Sequence, residues 1–142
     1  MSTPNSLPQQ LALWLFRREA NGSDEPNALL AAAERSLQKL CTRLAKLMTA
    51  AGCQSLVARA IHLAAAEAPF LQGVRAGIVP GACLEGVQES AQGMTSEQKL
   101  AGLVAVLAQL IGLLELFIGD DVTRRLVRDE WPDVPLGQGL TV

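Results

Sequence analysis

One histidine, His62, three cysteines, Cys41, Cys53 and Cys83, and scattered acids supply the acid–base, nucleophilic and metal-binding chemistry open to this chain. His62 falls on the side of its helix away from Leu56, Val57 and Ile61, with Arg59 three residues earlier and Ala58, Ala65 and Ala66 around it. An accessible imidazole among small side chains and beside a cation suits phosphoryl transfer to histidine. The donor needs steric access, and the cation steadies the added charge. His62 is therefore a candidate phosphoacceptor.

The run His62-Leu-Ala-Ala-Ala66 lacks the His-x-x-Lys-Gly signature usual in four-helix histidine-phosphotransfer domains. A surface histidine without special role explains the same residues. The cysteines form no CxxC pair, and no histidine stands at zinc-finger spacing from them. An odd, sparse set reads as reduced thiols in a cytoplasmic protein. Residues 1–6 carry no cationic side chain, and the apolar run ending at Phe16 meets Arg17-Arg18 rather than a small-residue cleavage site. Cys41 lies at the edge of an apolar seam, as an inert buried thiol would. Cys53 follows Gly52 at the expected start of a helix, where a thiol is more easily ionised. It stands nine residues from His62, about 13 Å along one helix, so the two make no nucleophile–base pair.

Acidic pairs at Asp120-Asp121 and Asp129-Glu130 suit a helix cap and a solvated face. Glu115 and Gln109 differ, because each interrupts an otherwise apolar stretch. They are the candidate polar anchors for a small apolar ligand held between helices. No metal set and no cofactor motif emerges: the glycines form neither a GxxxxGK[ST] nor a GxGxxG frame.

Charge is uneven. Residues 29–75 carry six cations against two acids, whereas residues 85–133 carry four against nine, within a net charge of −2. Arg35, Lys39, Arg43 and Lys46 line one side of a helix and could contact an anion or an acidic partner. Without interleaved aromatics or a helix-turn-helix, base reading has no support, and nucleic acid is not the expected partner.

The elements that must position these groups are helical. Leucine (24) and alanine (21) dominate a chain of 142 residues that has no tyrosine, a bias against an all-β fold. The spacing predicts helices over 7–20, 25–51 with Gly52 as its C-cap, 54–67, a short piece to Ala76, 82–91, 100–118 and 122–130. The second carries a heptad seam from Leu30 through Leu37, Leu44 and Leu47 to Ala51. Thr95 and Gln98 form a capping box before the most apolar segment. That segment, Leu100 to Ile118, is apolar on every side, so it is either a membrane span or the centre of a bundle. The polar faces of the other helices favour the bundle.

The expected architecture is thus a single all-α domain over 1–142. Five to six helices surround 100–118, and the ends at about 1–5 and 133–142 are flexible. So short a chain leaves little to cover the third side of the central helix, which makes Val106, Leu113 and Leu116 candidates for self-association as a homodimer. The expected function is a non-enzymatic interaction or regulatory module binding a protein partner through helix faces. The alternatives are the apolar-ligand binder and the His62 phosphocarrier.

Overall fold

Helix-start and helix-stop residues divide the chain into six α-helices among the described residues. The structure, a computed structural model, describes residues 7–78 and 81–134. The helices are α1 (Leu7–Glu19), α2 (Pro26–Leu47), α3 (Ala50–Ala64), α4 (Val87–Ser90), α5 (Ser96–Ile118) and α6 (Asp120–Glu130). The fold is all-α, as the composition requires, apart from an antiparallel pair of two-residue strands, β1 (Arg75–Ala76) and β2 (Leu84–Glu85).

The capping box forms as expected. Thr95 Oγ1 accepts the Gln98 N–H at 3.1 Å, and Gln98 Oε1 accepts the Thr95 N–H at 3.0 Å. At the other end Gly119, at φ +87°, turns the chain out of α5. Asp120 and Asp121 occupy the first turn of α6 rather than capping it, and there their charge still favours the helix N-terminus.

Several helix boundaries differ from expectation, three of them in kind. The predicted 25–51 helix breaks at Met48–Thr49, because the Thr49 hydroxyl accepts the Gly52 N–H at 3.0 Å and starts α3 there. Gly52 is thus inside a first turn, and Leu47 and Ala51, predicted seam residues, are exposed. The piece expected to reach Ala76 is a 3₁₀ turn, Pro69–Gly73, followed by β1. The 82–91 helix shrinks to the single turn of α4, with β2 before it. The predicted tail starts late, since Val134 is buried and Asp133 pairs with Arg18 at 2.8 Å. Expectations for residues 1–5 and for the remainder of the tail lie outside the described residues.

α5 sits at the centre, touching α1, α2, α3 and α6. Leu103, Leu107, Leu110, Ile111 and Leu114 are fully enclosed and join Leu15, Phe16, Leu37, Leu40, Leu44 and Val57 in one continuous core. The third side, expected to be bare, is covered over most of its length. Phe70 of the 3₁₀ turn lies on Gly102 so closely that a Cβ there would sit 2.5 Å from its ring. Val106 and Leu113 are also buried within the chain. By length and composition α5 would also cross a membrane, and half of its most apolar stretch is buried inside the protein.

Truncating an enclosed side chain should therefore cost far more than truncating one at the end of the same helix. Leu107→Ala is expected to lose about 2–5 kcal/mol in urea denaturation through lost burial and a residual cavity. Leu116→Ala should stay within about 0.5 kcal/mol of the parent.

Candidate functional site

The last turn of α5 runs out from under its cover. Leu116 is 83% exposed and Phe117 69%, and Leu47, at the end of α2, is 57% exposed. Beside them lies an apolar groove of about 540 Å³, walled by Met48 at the α2–α3 corner, Gly52, Ser55, Leu56 and Arg59 of α3, and Phe117 and Ile118 of α5. The corner therefore joins protruding apolar side chains to a hollow that could receive such side chains. The Thr49 cap produces it: by ending α2 early and turning α3 back, it leaves Leu47 outside the core and Met48 on the groove wall.

Both charge signs border this surface. Arg59 is exposed, with no hydrogen bond or ion pair among the described residues, and Asp120 and Asp121 follow Phe117 by three and four positions, both exposed. Glu115 is half-buried one turn before them. Burial pushes its carboxyl above the usual range, Asp120 adds to that push, and Arg124 opposes it.

Of the predicted self-association set, only Leu116 reaches the surface. Val106 and Leu113 are packed within the chain and cannot meet a partner. The sequence signal for this surface lies at Leu116-Phe117-Ile118-Gly119. An apolar run reaching a helix-ending glycine has no following turn to hide it.

Glu115 and Gln109 do not share a ligand site. Gln109 lines a groove of about 330 Å³ with Pro8, Gln9, Glu67, Ala105, Ala108 and Gly112. Glu115 instead faces the start of α6. Six positions along a helix separate two side chains by well over a quarter turn, so one pocket cannot use both. His62 is exposed in the last turn of α3, one turn from Arg59, and no group of three or more metal-ligating side chains occurs among the described residues.

The basic stripe is engaged internally. Glu19 at the end of α1 accepts from Lys39 Nζ at 2.9 Å, from Arg35 Nε at 3.4 Å and from Trp131 Nε1 at 3.2 Å. Arg43 pairs with Glu130 of α6 at 2.6 Å. Three of the four cations thus tie α1, α2 and α6 together, and only Lys46 has no such partner among the described residues. Glu130, expected on a solvated face, is part of this tie. Burial raises the Glu19 carboxyl, but its donors Lys39, Trp131 and Arg35 outweigh that and hold it below the usual range.

The cysteines depart furthest from expectation. Cys41 of α2 and Cys83, two residues after Gly81, are joined as a disulfide, with Cα atoms 6.3 Å apart. Two of the three cysteines expected as separate thiols are thus paired. Cys53 is the free thiol, buried in the first turns of α3 and donating to the Cys41 carbonyl at 3.7 Å. Burial pushes it up, the opposite of the activation a helix start would give.

No family model, curated protein or solved structure matches the chain.

The two shifted carboxyls predict opposite pH behaviour. Glu19, held low when folded, stabilises above its unfolded pKa, and that contribution is lost as pH falls through the folded value. Glu19→Gln should cost about 1–2 kcal/mol at neutral pH, a figure discounted because Arg35 and Lys39 are half exposed, and almost nothing in acid. Glu115, held high, is less costly to fold when protonated. Glu115→Gln should stabilise at neutral pH, with the gain vanishing in acid, where the parent carboxyl is already neutral. Urea midpoints of the three proteins, taken across that range, check both signs.

Proposed function

We propose that the protein is a non-enzymatic helical interaction module that self-associates through the corner formed by Leu47, Leu116, Phe117 and the adjoining groove. The carrying observation is that this one patch contains both a projecting apolar knob and an apolar hollow. A two-fold contact requires a self-complementary surface, in which the knob of each copy enters the hollow of the other. Leu116 and Phe117 have the exposure to act as the knob, and Met48, Leu56 and Ile118 form the floor and wall that would receive them. Charge supports the same pairing. A two-fold axis through the corner sets the unpaired Arg59 of one copy against Asp120 and Asp121 of the other, at the rim, where such pairs fix register more than they add affinity.

The reading extends the interface beyond the face of α5 alone, because Val106 and Leu113 are already covered. It also fits the internal use of Arg35, Lys39 and Arg43, while the apolar corner has no counterpart among the described residues.

Light scattering after size exclusion reads the outcome directly. The parent protein should show twice the 15.1 kDa mass of one chain at high micromolar concentration and fall toward one chain on dilution. Leu116→Asp and Phe117→Asp, both at exposed positions, should remain helical and stay at one chain throughout. A parent protein of one-chain mass at every concentration would refute self-association. A double mass unaffected by either substitution would refute this corner as its site.

A further inference from the structure

Between α3 and α5 the chain leaves the bundle and returns, and residues 75–78 and 81–90 form a strap lying against α2 and α3. The strap has little structure of its own. Its two strands are two residues each, Arg75 opposite Glu85 and Ala76 opposite Leu84, and so short a hairpin is marginal in water. Gly77 packs so tightly on the returning chain that a Cβ would lie 1.9 Å from the Ala82 carbonyl oxygen, which keeps the strap narrow at that point. Among its described residues Cys83 carries the only buried side chain; the others are half-buried or exposed, and Gly77 has none.

Among the described residues, the bonds that fasten this segment to α2 gather around Cys83. The Gln38 carboxamide grips the strap backbone at two points, donating to the Gly81 carbonyl at 3.0 Å and accepting the Cys83 N–H at 2.8 Å. One turn further along α2, Cys41 is bonded to Cys83. On the α3 side, Gln54 donates to the Ala76 carbonyl at 3.1 Å. Above the bond is a cleft of about 290 Å³ between the two elements, bounded by Glu34, Leu37 and Gln38 on α2 and by Ala82, Cys83 and Val87 on the strap. Both cysteines are buried, Cys83 at 3% and Cys41 at 1% exposure, but Cys83 borders the cleft and Cys41 does not.

We propose that the Cys41–Cys83 pair is a reversible thiol–disulfide site, and that its reduction by a dithiol releases the strap from α2 and opens the cleft. A thiolate of the dithiol attacks Cys83 Sγ, the sulfur of the cysteine that borders the cleft. The Cys41–Cys83 bond breaks, and Cys41 leaves as a thiolate that takes up a proton. The second thiol of the reductant then displaces Cys83 from the mixed disulfide. Two electrons and two protons pass to the protein, and the reductant ends as its own disulfide. The bundle core, built from α1, α2, α3, α5 and α6, draws no side chain from the strap other than Cys83 and the half-buried Ala76, Leu84 and Val87, so it persists while the strap loosens. Cys53 takes no part: it is buried in α3, against the Cys41 carbonyl.

Limited trypsin digestion after Arg75, with and without dithiothreitol, tests the proposal on the parent protein and on Cys83→Ser and Cys53→Ser. After mild oxidation, mass analysis should find one disulfide, linking Cys41 to Cys83. Reduction should raise the Arg75 cleavage rate roughly tenfold or more through local opening, with the far-ultraviolet helix signal retained. Cys83→Ser should cleave fast without reductant, and Cys53→Ser should follow the parent. Three outcomes would overturn it: no Cys41–Cys83 bond after oxidation, equal cleavage rates in both redox states, or loss of the helix signal on reduction. The last would make the bond a staple of the whole fold.

Discussion

A helix that is apolar on every side must be enclosed on every side, and the remaining elements are arranged to satisfy that demand on α5. Its stretch from Leu100 to Ile118 contains only Gln109 and Glu115 as polar side chains. Four helices and a 3₁₀ turn are placed against it. Burial of large aliphatic side chains is worth about 1.5–3 kcal/mol each, so the fully enclosed leucines of α5 dominate the favourable side of folding. The enclosure is uneven. Phe70 can close over Gly102 because that position has no side chain, whereas only Ile118 follows Phe117 before a glycine turns the chain away. The exposed corner is thus a consequence of where the covering elements stop.

Polar groups hold the cover in place around this core. Glu19 collects donors from α2 and from Trp131 just beyond α6, and Arg43 reaches Glu130. These contacts fix the approach of α1 and α6 to α2 more than they add stability, since the cations are substantially solvated. A stripe that resembles an anion-binding face in one dimension is therefore an internal brace in three. Its partners lie far away in sequence, at Glu19 and Glu130, where no helical wheel can place them.

Local signals were legible and nonlocal ones were not. The Thr95–Gln98 cap, the Gly119 stop and the apolar period of α5 each depend on neighbours within a few residues, and all three appear as read. The Met48–Thr49 break was hidden because leucines and alanines continue the heptad straight through it, while the competing Thr49 cap is a single hydroxyl. The β1–β2 hairpin escaped because two-residue strands leave no alternation to detect. The disulfide spans 42 residues, and only packing brings its ends together. At the site, Leu116 was identifiable from its position, but Phe117 and Leu47 needed knowledge of where the cover ends.

Hydroxyl-radical footprinting of dilute protein in detergent-free buffer tests the enclosure of α5 most directly because it reads side-chain contact with water. The account predicts strong protection of Leu107, Leu110 and Leu114 and ready oxidation of Leu116 and Phe117 on the same helix. Oxidation of the first three as fast as the last two, or a chain that remains dispersed only with lipid or detergent, would contradict it.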